Sequence, residues 1–432
     1  MSELLVVVDT RILGRVYAAK SGSLSFEYDA GWLDSPDAHM LSVSMPLTRI
    51  VYAQRVTYPY LWNLLPENPN VLARWATQYK VSQNNPFALL AHVGADVPGA
   101  AQFISVEHFA KIRTEQQPTI DWITEDELAH RLRDLRNDIS AMRRPGDVGK
   151  MSLPGAQAKT GYYWDEQQRR WGVPGGRTPT THIIKPCVPG YDGLVENEHL
   201  CQEVAARLGL TAARSSVLKL DESYIVIERF DRLPPTDGSL LIKRVHQEDM
   251  CQALTLMPGR KYQEAGGPGV KQIVTLIRRA SMQPDLDVER FIQANIFNWL
   301  IGGTDAHAKN YSLLIDAGNE IRLAPLYDLS SQLPYPEQIE QKLSMKIGGH
   351  YEISSIGLSA WRQLAKDCAL EEDRVLDLVT AMAAALPDHA NDACKKALEE
   401  GLQRNVIEPL TSMFIAHAQK LRSVVTTVIY PR

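Results

Sequence analysis

The chain is poor in cysteine, with five among 432 residues: Cys187, Cys201, Cys251, Cys368 and Cys394. They are widely spaced, odd in number and form no C-x-x-C pair. That argues against a disulfide framework and a thiolate zinc site, and for a reducing compartment. No apolar run reaches the ~20 residues that a membrane helix needs. The opening "MSELLVVVD" lacks the basic start and long apolar stretch of a signal peptide. No Lys/Arg block stands out, and the net charge is -5. A polyanion-binding face of the chain's own is therefore not expected, although nucleic acid could be reached through a partner. Low-complexity tracts and internal repeats are absent too. The expectation is a soluble, cytoplasmic protein without membrane contact.

What is present is ordinary globular composition, 44% hydrophobic and 22% charged, with enough length for two to four units, at roughly 100–200 residues each. Residues 1–110 read as β-rich with some helix: "LLVVVD", "RILGRVYAA" and "SLSFEY" are short β-favouring runs broken by Gly, Ser and Asp. Residues 111–245 begin with a charged helix, "TEDELAHRLRDLRNDI", in which Thr124 is the expected N-cap and Leu128, Leu132, Leu135 and Ile139 form one stripe. Strands "TTHIIKP" and "SYIVIERF" follow, separated by the helix "VENEHLCQEVAARLGL". Residues 246–432 are dominated by helical spacing, apart from the segment around 305–335. The expected fold class is α+β, with a mixed N-terminal lobe and a helical C-terminal lobe.

The chemistry concentrates in "LIGGTDAHAKNYSLLID". The preceding run "DLDVERFIQANIFNWLIGG" is helical, with Asp287 as expected N-cap and Gly302–Gly303 as its stop. "YSLLI" and "EIRLAPLYD" make a hairpin around "DAGN". Asp305–Asn310 then lies on a loop feeding that hairpin, and Asp328 lies just past it. A polar turn would explain Asp305 and Asn310 taken alone. With the hairpin and a second aspartate, the set fits phosphoryl transfer: Asp305 orients a substrate hydroxyl, while Asn310 and Asp328 offer hard oxygens to Mg²⁺. The spacing D-x-x-x-x-N is the second half of the kinase catalytic-loop pattern. Lys185, ending a β-branched run, is either an edge-strand lysine reaching water or the lysine that meets ATP phosphates, with Glu198 and Glu203 both open as its helix partner. The backbone around Glu228 and Phe230 suits either an adenine-binding hinge or a plain core strand ending in Phe. "MSLPGAQAKT" is not a Walker A loop, because Ala158 precedes Lys159 where glycine is needed. Ser152, Gly155, Ala156 and Gln157 could still form a backbone N–H cradle.

"MSLPGAQAKT", "THIIKP", "VENEHLCQEVAARLGL", "VIERFDR", "QEDMCQAL", "KYQEAGGPG", "NWLIGGTDAHAKNYSLLI" and "LAPLYDLS" succeed one another as in the HipA family, which the chain resembles in layout over residues 1–430. The resemblance implies a protein-kinase-like bilobal fold with an extra β-rich HipA subdomain over 1–110, a nucleotide-binding remainder of the N-lobe over 111–245, and an all-helical C-lobe over 246–432. It implies the toxin of a toxin–antitoxin module linked to persistence: a Mg²⁺- and ATP-dependent serine/threonine protein kinase. Asp305 resembles the catalytic aspartate, Asn310 and Asp328 the metal ligands, and Lys185 the ATP lysine. Glu228 and Phe230 resemble residues near adenine, and His307 a nucleotide-site residue in an Asp-x-His-x-x-Asn order closer to lipid kinases. Ser152 resembles an autophosphorylated serine, and Pro154 is a local variation that stiffens the loop. The implied partners are a HipB-like helix-turn-helix antitoxin dimer, operator DNA mainly through that antitoxin, and a protein substrate, glutamyl-tRNA synthetase in the best-known case. The chain would also act as corepressor. Alternatives are a nucleotide-binding corepressor without kinase activity, or a small-molecule kinase.

Overall fold

The computed structural model describes residues 2–115, 117–144, 146–234, 242–335 and 341–426. Two compact units form, each from separate stretches of chain: Met1–Val188 with Leu218–Pro258 and Ser312–Ala324, and Pro189–Val217 with Gly259–Tyr311 and Pro325–Arg432.

The first unit contains a five-stranded antiparallel sheet in the order Val51–Ala53, Leu24–Tyr28, Arg11–Ala18, Ser2–Val8, Gln102–Ile104. The apolar run at its centre has a physical reason. Leu4, Val6 and Val8 pack into one core with Phe26 and Tyr60, while Leu5 and Val7 face Ile104, Phe109 and Ile112 on the other side. Both faces are covered, so alternation disappears from the sequence. A second antiparallel sheet runs Ser223–Glu228, His182–Pro186, Thr160–Asp165, Arg170–Gly175, Thr119–Ile123. The helix Glu125–Asn137 packs Leu128 and Leu132 against Tyr162, Ile184 and Tyr224 of that sheet. Its N-cap is Thr124, whose hydroxyl accepts from the Glu127 amide at 3.2 Å. A third sheet joins His246–Asp249, Ser312–Asp316 and Glu320–Leu323. All four residues of His246–Asp249 are buried yet polar, so neither alternation nor an apolar run marks this strand at the start of the helical stretch.

The second unit is mainly helical: Leu194–Arg207, Val270–Ala280, Pro284–Ile301, Leu358–Asp367, Glu372–Glu399 and Arg404–Thr426. One hairpin, Lys342–Ile347 with His350–Glu352, interrupts the expected all-helical stretch. The helix Pro284–Ile301 starts a turn earlier than its sequence suggested. Pro284 sits in its first turn, where a missing N–H costs nothing. Asp287 is therefore inside the helix rather than its cap, fully buried, and accepts from Ser281 Oγ at 2.6 Å and Arg290 at 3.1 Å. Phe291, Ile292, Ile296, Trp299 and Leu300 are all buried, and Trp299 meets Trp361 edge-on at 5.6 Å. Among the described residues no helix is long and apolar enough to cross a membrane. All five cysteines are free thiols.

Candidate active site

In the second unit the helix Pro284–Ile301 stops at Gly302, held in the left-handed region at φ 66°. That backbone conformation favours glycine, and a side chain there would also push the Leu333 side chain aside. The chain then folds onto itself. The His307 amide donates to Asp305 O at 2.8 Å, and the Asn310 amide to His307 O at 2.9 Å. Asn310 Nδ2 donates to Asp305 O at 3.0 Å. This explains the five-residue spacing: the asparagine amide closes the loop on the aspartate carbonyl. Its nitrogen thereby committed, Oδ1 becomes the atom able to bind a metal.

Neighbouring segments fix this loop. The Ala308 amide donates to Lys261 O at 3.1 Å. Tyr262 Oη donates to Asp305 Oδ1 at 2.6 Å, and its ring meets His307 edge-on at 5.0 Å. Ser344 Oγ donates to Thr304 O at 2.7 Å. The strap bearing Asp328 is anchored at both ends. Leu326 exchanges backbone hydrogen bonds with Thr211 and Ala213, both 2.8 Å. Asn197 grips the Ser331 backbone through its amide at 2.7 and 3.0 Å. Between them, Tyr327 Oη donates to Lys309 O at 2.6 Å. Asp328 itself holds φ 58°, an unfavourable conformation for a residue with a side chain, and such strain is typically retained at functional positions.

Burial pushes the His307 imidazole down to about 3, helped by the positive charges of Lys261 and Lys309, with Asp328 opposing. The ring is therefore neutral at physiological pH, and its Nδ1 is buried without a hydrogen-bond partner. An orphaned ring nitrogen beside an aspartate, with Asn310 Oδ1 nearby in the same loop, fits a phosphate and its hard cation. Mg²⁺ characteristically takes only one or two protein oxygens and completes its shell with phosphate and water, so Asn310 and Asp328 suffice as a donor set.

The remaining expected residues lie in the first unit. Lys185 is buried in the central strand His182–Pro186, opposite Ile225. Glu228 ends the neighbouring strand opposite His182. Glu228 and Phe230 are half-buried, whereas Arg229 between them is fully buried. Ser152 has no exposed surface: Oγ donates to Leu64 O at 2.6 Å and its amide to Asp96 O at 2.9 Å. Gly155 pairs alongside Pro66, and Lys159 Nζ donates to Pro154 O at 2.9 Å. Ala156 is exposed at the tip and Gln157 half-buried. The Ser152 N–H is thus engaged by protein, Leu153 is buried, and the loop reaches its greatest exposure at Ala156. Of the two helix glutamates, both in the second unit, Glu203 is engaged by Lys396 Nζ at 2.6 Å, while Glu198 is buried and accepts from Gln202.

Two features escaped the sequence reading. Tyr262 lies in "KYQEAGGPG", 43 residues before Asp305, and no spacing rule links them. The second is a buried charge network. Asp96 accepts from Arg244 at 2.7 Å, Arg232 at 2.9 Å and the Thr180 amide at 2.8 Å. Asp231 takes two bonds from Arg229, at 2.8 and 3.0 Å, and one from the Gly99 amide at 2.7 Å. The alternating charges of "RFDR" were its only local trace.

Residues 4–104 match the family model of the HipA N-terminal domain, and residues 151–390 that of the HipA-like C-terminal domain. A Sinorhizobium fredii protein named "Putative kinase Y4mE" is 34% identical over 397 residues, 91% of each chain. The serine/threonine-protein kinase toxin HipA of Shewanella oneidensis is 27% identical over 384 residues, 86% of this chain and 84% of that one. Among solved structures, the Shewanella oneidensis MR-1 complex of HipA, HipB and operator DNA matches with a TM-score of 0.83 at 23% identity, covering 98% of this chain and 99% of that chain.

Proposed function

The chain belongs to the HipA family of kinase toxins, and from that premise we propose that it is a Mg²⁺·ATP-dependent serine/threonine protein kinase. The observation that carries this reading is the closed loop in which the Asn310 amide grips the Asp305 carbonyl beside the strap of Asp328. In it Asp305 orients the acceptor hydroxyl and receives its proton. Asn310 Oδ1 and Asp328 would hold Mg²⁺, which when bound neutralises charge on the phosphates. Neutral His307 offers a ring nitrogen to the nucleotide, and Lys185 its ammonium. Gly155, Ala156 and Gln157 supply backbone N–H groups, and Glu228 and Phe230 meet adenine. Phosphoryl transfer needs these roles on one nucleotide, and the chain supplies a residue for each.

Ser152 is the proposed site of autophosphorylation. Its hydroxyl is buried, so the loop must leave its seat before phosphate can be added. A group carrying nearly two negative charges cannot return there, and the modified loop would no longer cradle ATP. The solved relative was captured with HipB and operator DNA. A HipB-like antitoxin dimer, with operator DNA reached mainly through it, is accordingly the partner proposed here, with this chain as corepressor. The substrate is a cellular protein, for which an aminoacyl-tRNA synthetase is the first candidate.

The test is phosphate transfer from labelled ATP by the full chain and by Asp305→Ala and Asp328→Ala. Each variant is expected to lose on the order of 10³-fold or more. Near-normal transfer by either would end this reading.

A further inference from the structure

Resting on the kinase reading, we propose that Tyr262 is a positioning residue for Asp305: its hydroxyl holds one carboxylate oxygen so that the other is aimed at the acceptor. The 2.6 Å bond from Tyr262 Oη to Oδ1 is a charge-assisted hydrogen bond. It takes one of the rotations that would let the carboxylate swing away from a hydroxyl needing attack geometry within a few tenths of an ångström.

The phenol and the carboxylate are mounted on one frame. Lys261 O accepts from the Ala308 amide at 3.1 Å, tying the residue before Tyr262 to the catalytic loop. Gln263 Oε1, just after it, accepts from the Lys346 amide at 2.7 Å. The same strand, Lys342–Ile347, sends Ser344 Oγ to Thr304 O, one residue before Asp305, at 2.7 Å. Tyr262 O accepts from Gly267 N at 2.9 Å and Ala265 N at 3.1 Å, closing the loop on itself. That closure requires glycine at 267, where a Cβ would lie 2.2 Å from Arg260 O and 2.6 Å from Tyr262 O. The Tyr262 ring is steadied edge-on by His307.

A hydroxyl on this carboxylate could instead be an acceptor mimic that blocks the site. A mimic must withdraw for substrate to enter. Tyr262 has its neighbours on both sides bonded to the elements that build the catalytic loop, which is the construction of a fixture. The two ideas predict opposite signs for loss of the hydroxyl.

Tyr262→Phe removes that hydroxyl and keeps the ring against His307. In the full chain, the maximal rate of phosphate incorporation, into the chain itself and into casein, is expected to fall about 10- to 100-fold, with half-saturating ATP unchanged within about twofold. A maximal rate within about twofold of wild type, a faster rate, or a change confined to half-saturating ATP overturns the proposal. Asp305→Ala runs alongside. A wild type as inert as Asp305→Ala overturns the kinase reading and this inference with it, whereas an active wild type matched by Tyr262→Phe overturns this inference alone.

Discussion

Replacing Asp96 by asparagine removes one charge and almost no volume from the interior of the first unit. There, three guanidinium groups, Arg229, Arg232 and Arg244, face two carboxylates, Asp96 and Asp231, and every side chain is at most 9% exposed. In the variant the three cations face one carboxylate. Geometry adds to the loss. Asp96 Oδ1 accepts from Arg244 and Arg232, while Oδ2 accepts from the Thr180 amide and hydroxyl at 2.8 and 2.7 Å. Asparagine can present oxygen to only one of these sets, so its NH₂ must face donors. Removing one partner of a buried ion pair costs about 3–5 kcal/mol. For a unit of roughly 240 residues that is a fall in melting temperature on the order of 6–20 °C. Burial alone would raise the Asp96 pKa, but Arg244, Arg229, Arg232 and the Thr180 amide outweigh it and hold the carboxyl far below its ordinary 3.8. A depressed value means the contribution is fully present above 3.8 and is lost only as pH falls below it, so the comparison belongs at pH 7. Thermal unfolding followed by tryptophan fluorescence, with Trp122, Trp164 and Trp171 as reporters in this unit, gives the difference. A variant melting within about 1 °C of wild type would refute the reasoning, because these charges would then contribute nothing as pairs.

Glu248 makes a prediction of opposite sign. Burial pushes it up to about 8, with Asp249 adding and the hydrogen bonds from Ser42 and Val43 opposing. The folded state then holds a proton that the unfolded chain releases near 4.5, so this stability is full below 4.5 and lost as pH rises to about 8. At 1.36 kcal/mol per unit the slope amounts to several kcal/mol, and Glu248→Gln should flatten it in melting curves from pH 5 to 8; an unchanged slope would exclude Glu248 as its source. For Ser152, chain phosphorylated at that residue is expected to bind ATP at least about tenfold more weakly by calorimetry and to be cut faster by trypsin at Lys150 and Lys159; equal affinity would contradict the proposed switch.

The parts legible in the sequence were those carried by short-range rules. Thr124 capped its helix, Gly302 stopped the helix Pro284–Ile301, and the hairpin after Asn310 formed around "DAGN". Local rules failed where burial was complete. His246–Asp249 is buried yet wholly polar, so it carries neither alternation nor an apolar run, and Asp287, a residue type that favours caps, competes with Pro284, the better start signal three residues earlier. The candidate site divided in the same way. Asp305 and Asn310 were visible through fixed spacing, and the structure gives that spacing a cause in the side-chain bond closing the loop. Tyr262 and Asp96 were not visible, since each acts through contacts tens or hundreds of residues away in sequence, which a single chain does not encode as a pattern.

Asp96 also joins two features that the sequence presented separately. Its carbonyl accepts the Ser152 amide, and its carboxylate is paired with Arg229 at 3.5 Å, in the segment between Glu228 and Phe230. One residue therefore supports both the loop proposed to cradle phosphates and the segment proposed to meet adenine. If the loop leaves to expose Ser152, as proposed, the Asp96 carbonyl would lose its donor, and a buried carbonyl left unpaired costs about 1–3 kcal/mol. The Leu64 carbonyl loses the Ser152 hydroxyl in the same movement. The seated loop is thus favoured by two buried hydrogen bonds that a phosphate on Ser152 would abolish together. Rearrangement around Asp96 would reach Arg229 through the same residue, so loss of the proposed phosphate cradle and loosening of the proposed adenine segment would arise from one event.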